Sequence, residues 1–305
     1  MPLDSSTYAL ALLRLDGRRW NELRRMHAQI STQAAADGSS YLEMGNTKVI
    51  CTVAGPSEGR RGGGGQGGGG AEAKIEVEIG VAGFSGVERK RRGRGDKRTS
   101  ELQHTLATAF ASTLLLHLYP HSTIAITIHV LSQDGSLLAA CLNAATLALI
   151  DAGVPMSDYI CACTAGSTSS AGAGDTGADN EDPLLDLNGL EEQELPFLTV
   201  GTLGASEKVV VLMMETRVQA HKVESMLAVA VDGCGQVRKI LDGVGWLVKA
   251  QRHLATDNVH LVPDAIEPPG SAEAVVSVQS RELEPQVPAR ARSTGSQSDE
   301  LRTLL

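Results

Sequence analysis

Aromatic side chains are scarce: Phe, Trp and Tyr together make up 3% of the 305 residues. The composition therefore argues against a surface of stacked rings for sugars or bases, and the core must be built from Leu, Val, Ile and Ala. Metal-ligand spacing is missing as well. No C-x-x-C pair, H-E-x-x-H or Cys/His cluster occurs, which argues against a structural zinc site. Cys51, Cys141, Cys161, Cys163 and Cys234 are odd in number and fall in apolar stretches, the pattern of reduced, buried thiols rather than of a disulfide framework. No apolar run approaches the ~20 residues that span a bilayer, and M-P-L-D-S-S-T at the N-terminus has no signal-peptide pattern. Neither secretion nor contact with a membrane is expected.

What is present is enough for one large domain or two ordinary ones, with 42% hydrophobic residues. The net charge of −9 is unevenly placed. R-K-R-R-G-R-G-D-K-R at 89 to 98 is densely basic, whereas 167 to 207 contains no Lys or Arg and holds Asp175, Asp186, Glu191 and Glu192 among its acids. Local field, not net charge, decides what a cleft attracts.

Alternation of apolar and charged residues predicts strands at 72–81 and 123–131, with further strands at 47–54, 159–164 and 208–215. Leu102, Leu106, Phe110 and Leu114 recur every four residues, predicting a helix capped by Thr99 or Ser100. A second helix over 138–152 stops at Gly153-Val154-Pro155. A third runs from about Arg217 into the 250s, with a break expected near Gly233 and Gly235. Strand pairs followed by helices indicate a mixed α+β fold rather than a doubly wound parallel sheet. The expected domain covers 12–255, in halves 12–150 and 155–255. Polar insertions at 60–70 and 166–182 interrupt it, and a tail without fixed structure follows at 256–305.

Five signatures then occur in order: L-R-x-D-G-R-R-x-x-E-L-R-R (13–25), D-G-S-S-Y-L-E-M-G-N-T-K-V-I-C-T-V-A-G-P-S-E (37–58), E-R-K-R-R-G-R-G-D-K-R-T-S-E (88–101), D-G-S-L-L-A-A-C-L-N-A-A-T-L-A-L-I-D-A-G-V-P-M-S-D (134–158) and P-L-L-D-L-N-G-L-E-E (183–192). Together they resemble the RNase PH family over roughly residues 12 to 250. That resemblance implies an RNase PH-type β/α domain akin to the ribosomal protein S5 domain 2-like fold, assembled into a six-subunit ring around an RNA channel. For a eukaryotic member it implies a heterohexameric exosome ring of other RNase PH-type subunits, RNA-binding cap subunits, an associated hydrolytic nuclease, and residence in nucleus, nucleolus and cytoplasm.

Active members of the family cleave RNA 3′ ends with inorganic phosphate, which needs a grip on RNA phosphates, a cradle for the attacking phosphate, and acid or metal assistance. By resemblance, Lys97 and Arg98 fall where the family grips RNA backbone, and Arg89, Arg91, Arg92 and Arg94 extend the stripe. The plain alternative is a solvated basic loop. Asp186 and Glu192 fall on the family's two acids, the second usually Asp, and are the candidate pair for a magnesium ion, the one cofactor the resemblance admits. The alternative is two solvated loop acids. The phosphate cradle is where the pattern departs. Active relatives read Asp-(Gly/Ala)-Gly-(Ser/Thr)-Arg, whereas this chain reads Asp134-Gly135-Ser136-Leu137-Leu138, leaving Ser136 as the one hydroxyl, with a helix cap as its expected role. Losing a charge-assisted contact to phosphate forfeits about 1.5–3 kcal/mol of binding.

The sequence thus predicts a ring subunit with no phosphorolysis, or almost none, that binds RNA backbone and threads 3′ ends for RNA processing and degradation. The rival is an active phosphorolytic 3′-to-5′ exoribonuclease whose phosphate ligands a partner completes. Metal-dependent hydrolysis at Asp186 and Glu192 lacks any residue to position a water. A transfer-RNA-trimming homohexamer is disfavoured by the missing Arg and the long insertions.

Overall fold

Alternating stretches become strands of two sheets, and the apolar runs become the helices between and behind them. The computed structural model describes residues 13–14, 16–58, 73–86, 89, 96–168, 183–204, 206, 208–259 and 276–278. The 60–70 insertion, nearly all of 166–182, Arg91, Arg92 and Arg94 lie outside the described residues.

In the first sheet, β1 (Met26–Ile30), β2 (Gly38–Met44) and β3 (Thr47–Glu58) form an antiparallel meander. β3 pairs antiparallel with β5 (Ser122–Ser132), and β5 pairs parallel with β4 (Lys74–Val81). A parallel pair needs a long crossover, and α1 (Lys97–Thr113) supplies it. The inward faces carry Val49, Cys51 and Val53 on β3 and Ile124, Ile126, Ile128 and Val130 on β5, all buried. This is the alternation that the sequence displays.

The second sheet is antiparallel, in the order β7 (Pro183–Leu185), β6 (Ile160–Ser167), β8 (Phe197–Leu203), β9 (Val209–Met214). A short helix, α3 (Gly189–Glu194), joins β7 to β8. Among the described residues β9 has a strand neighbour on one side only. Its sequence V-V-V-L-M-M has no charge and no proline, and Leu212 and Met214 are exposed.

Helix α2 (Leu137–Ala152) packs against β2, β3 and β6 and joins the two halves through one main core. It is buried on almost every face, which is why its sequence is Ala/Leu-rich rather than amphipathic. Two polar residues in it seal the strand edge that the short β7 leaves uncovered. Asn143 donates from Nδ2 to Ala162 O (2.9 Å) and accepts at Oδ1 from Ala162 N (2.8 Å), and Thr146 Oγ1 donates to Ile160 O (3.0 Å). The five cysteines are free and buried as expected, and burial pushes the Cys234 thiol up to about 11.

Three expectations are corrected. Helix α1 begins three residues earlier than a Thr99 cap allows: its N-cap is Asp96, so Lys97 and Arg98 belong to the first turn. The last long helix, α4 (Ala220–Val259), is unbroken at Gly233 and Gly235. Gly233 is there for close packing, since a Cβ on it would stand 2.4 Å from Leu185 Cδ1. The tail is also not wholly without structure. α4 continues to Val259, and β10 (Val276–Val278) adds antiparallel to β1 at the sheet edge.

Replacing Asn143 by Leu leaves the Ala162 N–H and C=O unpaired in a dry core. With about 1–3 kcal/mol lost for each unsatisfied group, thermal denaturation should show a Tm several degrees below wild type. An unchanged Tm would show that the amide bridge is dispensable.

Candidate functional site

The site is built where the turn between β5 and α2 meets the segment linking β7 to α3. Gly135 has φ +76°, and a Cβ there would lie 2.5 Å from Leu187 O, so only glycine lets the turn approach this segment. Asp134 fixes the turn from both sides: Oδ1 accepts from Gly189 N (2.9 Å) and Oδ2 from Asn46 Nδ2 (2.9 Å). Thr47 Oγ1 closes it by donating to Gly135 O (2.8 Å).

Ser136, expected as a helix cap, does not cap α2 with its side chain. It sits in the left-handed region at φ 52°, which turns its hydroxyl away from the helix and toward the acids. The Oγ donates to Asp186 Oδ1 (3.0 Å), with Leu187 O also within reach at 3.2 Å. Its backbone N–H donates to Glu192 Oε1 (2.5 Å). Ser136 therefore brings together the two acids that the sequence singled out, one on its hydroxyl and one on its amide. The anion position at the start of α2 is occupied by the chain's own Glu192 carboxylate.

Asp186 is fully buried and paired with Arg24, whose side chain is 5% exposed. Oδ2 accepts from Arg24 N (2.9 Å) and Nε (3.1 Å), and Oδ1 from Arg24 Nη2 (2.8 Å) in addition to Ser136. These four bonds use the lone-pair directions of a carboxylate, leaving no oxygen free for a metal ion. Consistent with that geometry, no cluster of three or more His, Cys, Asp or Glu suited to a metal is found among the described residues. Magnesium therefore does not fit at Asp186 in this arrangement. Asp186 also has φ 51°, a strained value for a non-glycine residue. It is held there by bonds to both of its backbone groups: its N–H donates to Thr164 O (2.7 Å), and its carbonyl accepts from Arg14 Nη2 and Arg18 Nη1, each at 3.0 Å.

Arg14, Arg18 and Arg24 were not singled out as site residues by the sequence. Arg14 clamps Glu191 through both ends of its guanidinium, with Nε donating to Oε1 at 2.9 Å and Nη2 to Oε2. Glu191 in turn completes a capping box with Asn188, accepting from Asn188 N (3.0 Å) while Asn188 Oδ1 accepts from Glu191 N (3.0 Å). A signal was available. An acidic stretch with no Lys or Arg of its own must find cations elsewhere, and the 13–25 segment holds a surplus of them.

The two acids titrate in opposite directions. Burial alone would push Asp186 up, but the charge and hydrogen bonds of Arg24 outweigh it and hold the carboxyl below the ordinary 3.8. Glu192 goes up from the ordinary 4.5 because burial dominates over its bond from Ser136 and the nearby arginines, Arg24 and Arg98. Leu138, at the position of the expected Arg, is buried in the main core, and Leu137 packs against that core. Of the basic stripe, Arg89, Lys97 and Arg98 are described and exposed. Among the described residues Arg98 makes a long pair with Glu215 (3.4 Å). Lys97 and Arg98 sit at the N-terminus of α1 with no acid in the first turn, a placement that the helix dipole disfavours.

Comparison with known proteins decides the family. Residues 22–155 match the model of the 3′ exoribonuclease family, domain 1, and 158–233 match domain 2. The chain belongs to the RNase PH family. It is 41% identical over 232 residues to "Exosome complex component SKI6" of Saccharomyces cerevisiae, covering 75% of this chain and 89% of that one. It is 39% identical over 232 residues to "Exosome complex component RRP41" of Homo sapiens, covering 76% and 89%. In fold it is similar to rice Rrp46, with TM-score 0.65, 24% identity and coverage of 76% and 100%. An Archaeoglobus fulgidus exosome chain, from a structure with RNA bound to the active site, gives TM-score 0.61, 19% identity and coverage of 77% and 94%. The fold is thus the mixed α+β RNase PH type that the residues implied.

Two outcomes test the site. Arg24→Ala strands a buried carboxylate and should cost about 3–5 kcal/mol, read as a large loss of denaturation midpoint, whereas Asp186→Asn in the same background should recover part of it. The sign for Glu192 follows from its raised pKa: the stability it contributes is full below 4.5 and is lost as pH rises through its folded pKa. Glu192→Gln, which keeps an acceptor for Ser136 N, should therefore gain stability relative to wild type as pH rises, and the gain should vanish below 4.5. A pH-independent difference between the two proteins would contradict this.

Proposed function

We propose that this RNase PH-family chain is a core-ring subunit of an RNA exosome, binding RNA backbone and threading 3′ ends for 3′-to-5′ processing and degradation, with its own phosphorolytic site closed. The observation that carries the second half is at Ser136: its amide, where an attacking phosphate would be held, already serves Glu192, and the next two side chains are Leu137 and Leu138. An incoming dianion would have to displace a buried carboxylate, and the hydroxyl of Ser136 and the guanidinium of Arg24 beside it are already engaged by Asp186. The RNA-binding half is supported by the match to the 3′ exoribonuclease family and by Lys97 and Arg98. Two cations in the first turn of α1 oppose its dipole, and an RNA phosphate would relieve both. RNase PH-type partners, cap subunits and an associated hydrolytic nuclease complete this reading, with nucleus, nucleolus and cytoplasm as its place.

A second reading has its own support. Both matched family models describe 3′ exoribonucleases, and two acids, Asp186 and Glu192, stand beside the turn, which supports an active phosphorolytic chain whose phosphate ligands a neighbour completes. In either reading this chain's residues hold RNA phosphates through Lys97 and Arg98. Only in the second does Glu192, protonated more readily than an ordinary glutamate, leave Ser136 N and serve the departing 3′ oxygen.

Incubating the protein, alone and with its ring partners, with 3′-tailed RNA, magnesium and phosphate decides between them. The expected outcome is no phosphate-dependent release of nucleoside diphosphates. Release at ordinary enzyme rates would establish the second reading. Changing Lys97 and Arg98 to Glu should abolish crosslinking of RNA to this subunit, and undiminished crosslinking would remove its RNA contact.

A further inference from the structure

The most exposed large apolar side chain among the described residues is Phe84, at 68% of its free surface. It does not hang on a loose loop. Ala82 N donates to Val130 O (3.0 Å), Ser85 N closes a turn onto Ala82 O (3.0 Å), and Gln133 N donates to Ser85 O (2.9 Å). Ser85 itself is buried at 7% exposure. Phe84 is therefore the third residue of a four-residue turn pinned at both ends to the β5 chain just before Asp134-Gly135-Ser136. A ring fixed in water forgoes the gain that its burial would bring. Some partner is expected to recover that.

We infer that Phe84 is a stacking platform for a nucleobase of single-stranded RNA whose phosphates are held by Lys97 and Arg98. The inference rests on the RNA-binding reading above and adds a specific contact to it. Arg98 lies near enough to Glu192 for its charge to favour the carboxylate, and Glu192 bonds Ser136 N. The turn that carries the ring is bonded to Gln133, and the carboxylate that the cation favours is bonded to Ser136, so both are tied to the stretch 133–136. Stacking on a ring beside cations suits RNA because every base has a π-face while every linkage brings a phosphate. A protein partner is the less apt occupant. Protein interfaces centre on contiguous apolar patches, whereas the chain neighbours of Phe84 among the described residues are Gly83, Ser85 and Gly86. The scarcity of aromatics argues against an extended stacking surface but not against a single ring.

The test uses the assembled ring and oligoadenylate carrying 2-aminopurine at successive positions from the 3′ end. Wild type should quench the fluorescence of one position through stacking. Phe84→Ala should abolish that quench and weaken binding by about tenfold, the scale of one lost base–aromatic stack, while Phe84→Trp should retain both. The Lys97→Glu, Arg98→Glu double variant separates the two layers of argument. If it loses RNA while Phe84→Ala binds and quenches like wild type, the stacking role is wrong and the RNA reading stands. If wild type itself fails to bind, both fall. If Phe84→Ala frees this subunit from the ring on gel filtration without RNA, the ring faces a protein and the proposal is overturned.

Discussion

The contact on which the rest of the molecule depends is the buried pair of Arg24 and Asp186. One partner precedes the first strand and the other follows β7, so a single ion pair ties the first segment of the chain to the second half. Neither charge is in water, so each relies on the other, and their attraction repays desolvation only because the bonding is complete. Arg24 supplies three donors and Ser136 the fourth. Arg14 and Arg18 then hold the Asp186 carbonyl, and Arg14 holds Glu191, which fixes the start of α3. The turn, the helix and the strand end are parts of one hydrogen-bonded unit. A change to any member is felt by the others.

That unit also joins the turn before α2 to the two acids that follow β7. Glu192 differs from the family's usual Asp by one methylene, and its Oε1 reaches the Ser136 amide. Leu138, in place of a cation, contributes to the core instead of the site. A buried Arg at that position with no phosphate bound would have needed its own counter-charge. Leucine needs none, whereas the Glu192 carboxylate is compensated only in part, and its pKa is raised by burial.

Sequence reasoning read the parts whose signals are local. The alternation in Ile124, Ile126, Ile128 and Val130 gave β5 and its buried face, and the Ala/Leu run gave α2. It missed what depends on distant partners. A Ser before a helix is ordinarily a cap, and only the approach of Asp186 and Glu192, fifty residues or more along the chain, assigns its hydroxyl and amide otherwise. Glycines in a helical stretch ordinarily weaken it, and only the closeness of Leu185 shows that Gly233 makes room. The pairing of Arg14 with Glu191 spans 177 residues. Charge complementarity between segments hinted at it, but helix and strand periods carry no such information.

Strand β9 has a consequence of a different kind. Folded proteins guard the outermost strand of a sheet with lysine, proline or a bulge, because unpaired backbone groups invite any passing strand. This one has an irregularity at Val210 but otherwise offers uncharged valine, leucine and methionine along an edge that no strand pairs with among the described residues. For a chain made by itself, that edge favours self-association. Solubility then depends on synthesis being matched to that of whatever covers the edge, so the cell's supply of a companion, rather than the chain's own fold, sets how much of it stays dispersed.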